Sequence, residues 1–155
     1  LAVEFGFEPQ QLAIFWSVTF LISALLSQLT PRIIKKFGLK KSIFLLGAIL
    51  SASLIISPFL GIIIGGLTLF IRIGLGAVFD NFSSITINKF TKSKYRATTI
   101  STFNMIKNIP YVLTAYLFGS FADLYSAKTS AFFLGGLLLI LILIQVNSLR
   151  KLNKH

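Results

Sequence analysis

Three ionisable residues interrupt otherwise apolar stretches of this chain: Arg72, Asp80 and Lys107. A charged side chain far from water is costly, so such residues pair, line a polar path or handle protons. Asp80 can take and release a proton, and Lys107 is its chemical complement. By helical rise, Asp80 lies ~14 Å inward from Lys89, and Lys107 lies ~16 Å inward from Arg96. Lys89 and Arg96 mark the edges of their stretches, so Asp80 and Lys107 are expected at similar depth on neighbouring helices. They should face each other directly or through Asn81, Asn104 or Asn108. Two readings fit such a pair: a charge pair beside a substrate path, or a fixed ion pair that sets the register of two helices. Arg72 lies deeper, ~25 Å from Lys89. Gly74 and Gly76 follow it and allow a neighbour or a solute to come close. The cost of an unpaired arginine facing lipid favours an Arg72 that faces a cavity. The other reading is an arginine that holds backbone carbonyls at a broken helix or reaches toward the interface. Asn104, Lys107, Asn108 and Tyr111 stand at i, i+3, i+4 and i+7 and share one helical face. That stripe can contact a substrate, or it can be polar glue between helices worth about 1 kcal/mol per contact.

The elements that position these residues are five apolar stretches, at residues 12–29, 43–60, 61–87, 100–121 and 130–146. Most are near the ~20 residues that cross a bilayer as a helix. Positive charge falls in alternate gaps. Arg32, Lys35, Lys36, Lys40 and Lys41 fill one, Lys89, Lys92, Lys94 and Arg96 another, and Arg150, Lys151 and Lys154 the tail. Short basic loops stay cytoplasmic, which predicts an outside N-terminus, five crossings and a cytoplasmic C-terminus. The fold class expected is an all-α membrane protein with one transmembrane domain. Thr30-Pro31 should end the first span and Ser57-Pro58 should make a short turn. Pro110 should kink the fourth span. Gly61/Gly65 and Ala115/Gly119 have the small-xxx-small spacing that lets helices approach closely.

Polarity differs between the stretches. The second holds only serines as polar residues, and residues 131–144 of the fifth hold none, so both are expected to face lipid. The first carries Thr19, Ser23 and Ser27 at four-residue steps, a polar stripe on one face. The third and fourth concentrate the polar residues and are expected to carry the chemistry.

Composition excludes other classes. Apolar residues make up 55% of the chain against 12% charged, with a mean hydropathy of +0.85, too little polar surface to cover a soluble core. The net charge of +11 sits at the edges of apolar stretches, where it meets anionic lipid; no separate basic patch suits nucleic acid. With no cysteine and a single histidine, His155, neither a metal site nor a cofactor is expected. No enzyme motif is present, so the chain is expected not to be an enzyme. It begins with Leu rather than Met, which points to a fragment or a processed product.

Three segments resemble a known family. The run Pro31-Arg32-Ile33-Ile34-Lys35-Lys36-Phe37-Gly38-Leu39-Lys40-Lys41 looks like a degenerate copy of the basic loop motif of the major facilitator superfamily. Gly38 and the basic residues match, while Pro31 and Lys35 replace a glycine and an acid. Arg72-x-x-x-Gly76 resembles the arginine–glycine motif of that family's fourth helix, to which the tenth is related by internal repeat. Lys94-Tyr95-Arg96-Ala97-Thr98 through Ser101, with Gly119-Ser120-Phe121-Ala122-Asp123, is similar to the eleventh helix and its flanks. The resemblance implies the C-terminal half of a twelve-helix, two-half transporter, helices eight to twelve, with its site near the interface of the halves. It implies a role in proton coupling for Arg72 and a peripheral place for the second and fifth spans.

The function expected is secondary transport of a small solute, a drug or metabolite, across the cell membrane by alternating access with proton coupling. The partners expected are membrane lipids, the solute and an N-terminal half. The alternative is a non-transport scaffold or assembly subunit whose polar spans bind a partner's helices.

Overall fold

The structure, a computed structural model, describes residues 2–152, and side chains for residues 2–147. Lys154 and His155, and the side chains of Arg150 and Lys151, lie outside the described residues. The described residues form six α-helices and no strand. They are α1 (Pro9–Ser27), α2 (Thr30–Phe37), α3 (Leu39–Ile55), α4 (Ile62–Phe90), α5 (Arg96–Leu124) and α6 (Ala127–Leu152).

Helix α1 starts where local chemistry says it should. Glu8 caps it, its N–H donates to Gln11 Oε1 at 3.1 Å, and Pro9 opens the first turn. The helix stops at Ser27, ahead of Pro31. The basic run expected as a loop is instead helical on both sides of Gly38. The reason is local. Pro31 is at home in a first helical turn, and Lys35 and Lys36 in the last turn of α2 complement its dipole. Gly38 has φ +76°, a conformation that favours glycine, and there α2 and α3 turn by 115°. Ser42 Oγ donates to Gly38 O at 2.7 Å and fastens the corner. Helix α3 ends at Ile55, short of the expected Leu60, and residues Ser57–Phe59 form a 3₁₀ turn around Pro58.

Helix α4 has 29 residues, about 43 Å, more than a bilayer core. Helix α5 has the same number and runs through Pro110 without interruption. By length and composition, α1, α4 and residues Ala127–Asn147 of α6 can each cross a membrane, and the bent α2–α3 pair makes a fourth candidate. Helix α5 is long enough, but Asn104, Lys107 and Asn108 dilute its apolar character.

The helices pack as two pairs, α1 on α4 and α3 on α6, with α5 laid against α6 and α4. Between helices in lipid, close contact replaces the hydrophobic effect as the main attraction. The α3–α6 contact shows how close it becomes: a Cβ at Gly135 would lie 2.8 Å from Leu54 and 2.9 Å from the Ile55 backbone nitrogen. Ser51 Oγ donates to Gly135 O at 2.7 Å across that contact. The serines of α3, Ser42, Ser51 and Ser53, are thus buried, as is Ser57 in the turn that follows. Thr19 and Ser23, from the stripe expected on α1, are also buried and bond back to their own helix at Phe15 O and Thr19 O.

Of the glycines expected to allow close contact, Gly65 and Gly74 do. A Cβ at Gly65 would lie 2.5 Å from the Phe5 ring, and one at Gly74 would lie 2.6 Å from Leu26. Gly61, Gly76 and Gly119 face open space among the described residues. The Phe5 that fills the Gly65 hollow belongs to a short N-terminal segment. Its neighbour Glu4 accepts hydrogen bonds from the backbone N–H groups of Ala127 and Lys128, at 2.6 and 2.8 Å. Lys128 Nζ donates to Leu60 O at 3.0 Å. This segment straps the start of α4 to the start of α6.

Candidate functional site

Asp80 and Lys107 meet directly, with Lys107 Nζ donating to Asp80 Oδ1 at 2.7 Å. Asp80 stands on α4 and Lys107 on α5. The side chains remain accessible, 68% for Asp80 and 41% for Lys107. They sit in a cleft of about 490 Å³ between the two helices. From α4 come Asp80, Ser83 and Ser84; from α5 come Asn104, Lys107 and Asn108. Both sets have i, i+3, i+4 spacing, so each helix turns one polar strip to the cleft. Ile87, Ile100 and Phe103 give the cleft an apolar wall.

Ser83 and Ser84 were not among the residues expected in the site, although their spacing from Asp80 carries the signal. Tyr111 continues the α5 strip at i+7 but does not line this cleft, and it is exposed.

Arg72 does not reach the cleft. Its Nε donates to Ser53 Oγ at 3.1 Å, and its Nη2 donates to Ser53 O and Ser57 Oγ. These partners lie at the end of α3, just before Pro58. The cavity-facing placement expected for Arg72 gives way to the other reading, an arginine on carbonyls at a broken helix. The physical reason is the turn at Ser57-Pro58: the last carbonyls of a helix lack intrahelical partners, and a buried one needs a donor.

Asn81 repeats the arrangement on the next helix. Its Nδ2 donates to Ser27 O at 2.7 Å, at the end of α1. Asn81 is adjacent to Asp80 in sequence yet turned away from the cleft, as the 100° step of a helix requires. Along α4, then, Arg72 and Asn81 hold neighbouring helix ends, while Asp80, Ser83 and Ser84 face α5.

The basic residues Arg32, Lys35, Lys36, Lys40 and Lys41 flank the α2–α3 corner, with Gly38 as its pivot. Lys40 and Lys41 occupy the first turn of α3, where the helix dipole disfavours cations. Local helix energetics therefore do not explain them.

Helix α5 has no buried residue along its described length. Beside the polar strip, a second, apolar hollow of about 550 Å³ runs along it past Met105, Ile106 and Ile109.

Comparison with curated proteins and with solved structures gives no match. A family model does match, over residues 1–151. That match covers nearly the whole chain and agrees with several apolar helices in one multi-pass membrane protein. The chain belongs to the Major Facilitator Superfamily, a family of membrane transporters rather than enzymes.

Proposed function

We propose that this chain is the C-terminal part of a secondary active transporter of the cell membrane, supplying helices eight to twelve. In this reading α1, the bent α2–α3 pair, α4, α5 and α6 are five spans. The basic α2–α3 corner and the Lys89–Arg96 turn lie on the cytoplasmic side. The solute enters the α4–α5 cleft, and alternating access of two halves moves it across. The observation that carries the reading is the Asp80–Lys107 pair, accessible in an open cleft between two apolar helices. A purely structural ion pair has no need of open space beside it. The absence of any buried residue along the described length of α5 supports an N-terminal half as its covering partner. Asp80 is the group placed to carry a coupling proton.

The test is transport by the full-length protein in liposomes across a pH gradient, with and without Asp80→Asn. Asp80-dependent, gradient-driven solute movement supports the reading. Movement that is indifferent to Asp80→Asn removes Asp80 from it, and transport by these 155 residues alone contradicts the need for a second half.

The scaffold alternative draws on Arg72 and Asn81. Both are polar residues within the membrane whose bonds are structural. Recovery of the protein only in stable assemblies with other membrane proteins, without any solute movement, would favour it.

A further inference from the structure

Most of the polar groups in the cleft are not used up by the protein. Outside the cleft, Arg72 and Asn81 have protein acceptors, and within it Ser83 donates to Phe79 O. Among the described residues, the side chains of Asn104, Asn108 and Ser84 have no hydrogen-bond partner. Asp80 accepts one bond, through Oδ1, and its Oδ2 accepts none. Lys107 spends one of its three N–H groups on Asp80. Polar groups left open within a bilayer must be satisfied by water or by a solute.

The charges narrow the solute class. The cleft contains one carboxylate and one ammonium, only 2.7 Å apart at the nearest atoms. A solute with a single net charge meets attraction from one of them and repulsion from the other at nearly the same distance. Its net electrostatic gain is small. A dipolar solute gains at both ends, because its cation can sit on Asp80 Oδ2 and its anion on the open N–H groups of Lys107. Asn104 and Asn108 stand on either side of Lys107 along α5 and can donate to the same anion. Ile87, Ile100 and Phe103 continue the two strips toward the α4–α5 turn, and this apolar end of the cleft suits a hydrocarbon body. The volume of about 490 Å³ accommodates a small organic molecule.

We infer that the α4–α5 cleft binds a small zwitterion with an apolar body, its ammonium on Asp80 and its carboxylate on Lys107. The inference rests on the transporter reading of this same cleft and adds the substrate class to it.

Three matched probes test it on the full-length protein in detergent or liposomes: phenylalanine, its N-acetyl derivative and its methyl ester. They share the benzyl body and, at mildly acidic pH, differ chiefly in charge: zwitterion, anion and cation, each derivative adding one small group. Phenylalanine should bind at least tenfold more tightly than either derivative. Asp80→Asn leaves a lone ammonium and should turn the preference toward the N-acetyl anion. Lys107→Gln leaves a lone carboxylate and should turn it toward the ester. If either variant fails to reach the membrane, the double variant Asp80→Asn/Lys107→Gln serves, and it must lose the discrimination among the three. Binding of none of the probes by the native protein overturns the inference. So does equal or better binding of a derivative, or discrimination that survives the double variant. A sugar or a simple cation transported in an Asp80-dependent way, with no response to the three probes, would leave the transporter reading standing and this inference refuted. Absence of any solute movement would sink both.

Discussion

Asn81 on α4 places its side-chain amide 2.7 Å from the backbone carbonyl of Ser27 on α1, 54 residues away. Ser27 O is the carbonyl that residue 31 would satisfy in a continuous helix, and residue 31 is proline, which has no N–H. Thr30 Oγ1 donates to the same oxygen at 2.7 Å. One helix thus supplies a donor that a proline removed from another. Asn81→Leu should destabilise the protein by about 0.5–1.5 kcal/mol, the net contribution of a hydrogen bond to a part-buried carbonyl that keeps its other donor. Restoring the donor should soften the loss: Asn81→Leu in a Pro31→Ala background should cost less than in the native background. Thermal unfolding of the four proteins in detergent measures the coupling. Equal costs in both backgrounds would show that Asn81 does not compensate for Pro31.

Arg72 applies the same device to α3, with three donations to Ser53 and Ser57. Its removal should therefore register in folding rather than in turnover. Arg72→Met strips the end of α3 of its donors and should lower thermal stability by several degrees more than Asn81→Leu. Arg72→Lys keeps the charge but not the planar fork that reaches Nε and Nη2 partners together, and it should rescue little. Solute turnover per folded molecule should stay near native in any variant that survives. A turnover loss of tenfold or more in well-folded Arg72→Lys would return Arg72 to the transport path.

The residues legible in the sequence were those whose partners lie at predictable depth. Asp80 and Lys107 were each measured from a basic edge, and equal depth on neighbouring helices was enough to bring them together. The partners of Arg72 are not legible because they are hydroxyls and carbonyls at a helix end. Such acceptors carry no signature in composition, and the nearby Ser57-Pro58 was read only as a turn. The partners of the α3 serines are hidden in the sequence for a related reason. Serines in an apolar stretch look incidental, yet a serine such as Ser51 can bond a backbone carbonyl exposed by Gly135 84 residues away. The charge of the basic run around Gly38 suggests a loop, although Pro31 and the terminal lysines are as well suited to a short helix.

The Asp80–Lys107 pair makes the opposite forecast to Arg72. Both side chains are substantially accessible, so the pair contributes little to stability, about 0–1 kcal/mol as for other open ion pairs. Asp80→Asn and Lys107→Met should leave the unfolding temperature within a few degrees of native. Asp80→Asn should abolish gradient-driven transport. Unfolding scans run beside liposome flux separate the two effects. A large stability loss with native flux in the survivors would make the pair a register device. Flux that survives Lys107→Met but collapses with Asp80→Asn would show that the two do not work as a unit.

Glu4 offers a test of how the helix pairs are tied together. Its carboxylate takes the first two N–H groups of α6, at 2.6 and 2.8 Å, from a segment that precedes α1. Those N–H groups have no acceptor within their own helix, and a negative charge there also complements the dipole. Phe5, one residue on, is buried in the Gly65 hollow, so strap and plug act on the same few residues. Glu4→Gln keeps one acceptor oxygen and should cost little; Glu4→Ala removes both and should cost about 0.5–2 kcal/mol, as loss of a helix cap does. Gly65→Val should cost more than either, because its side chain displaces the Phe5 ring and lifts the strap with it. Hydrogen exchange at Ala127 and Lys128 provides a local readout, and it should speed up in both Glu4→Ala and Gly65→Val. Unchanged exchange at those two amides in Gly65→Val would mean that Phe5 and Glu4 hold their positions independently.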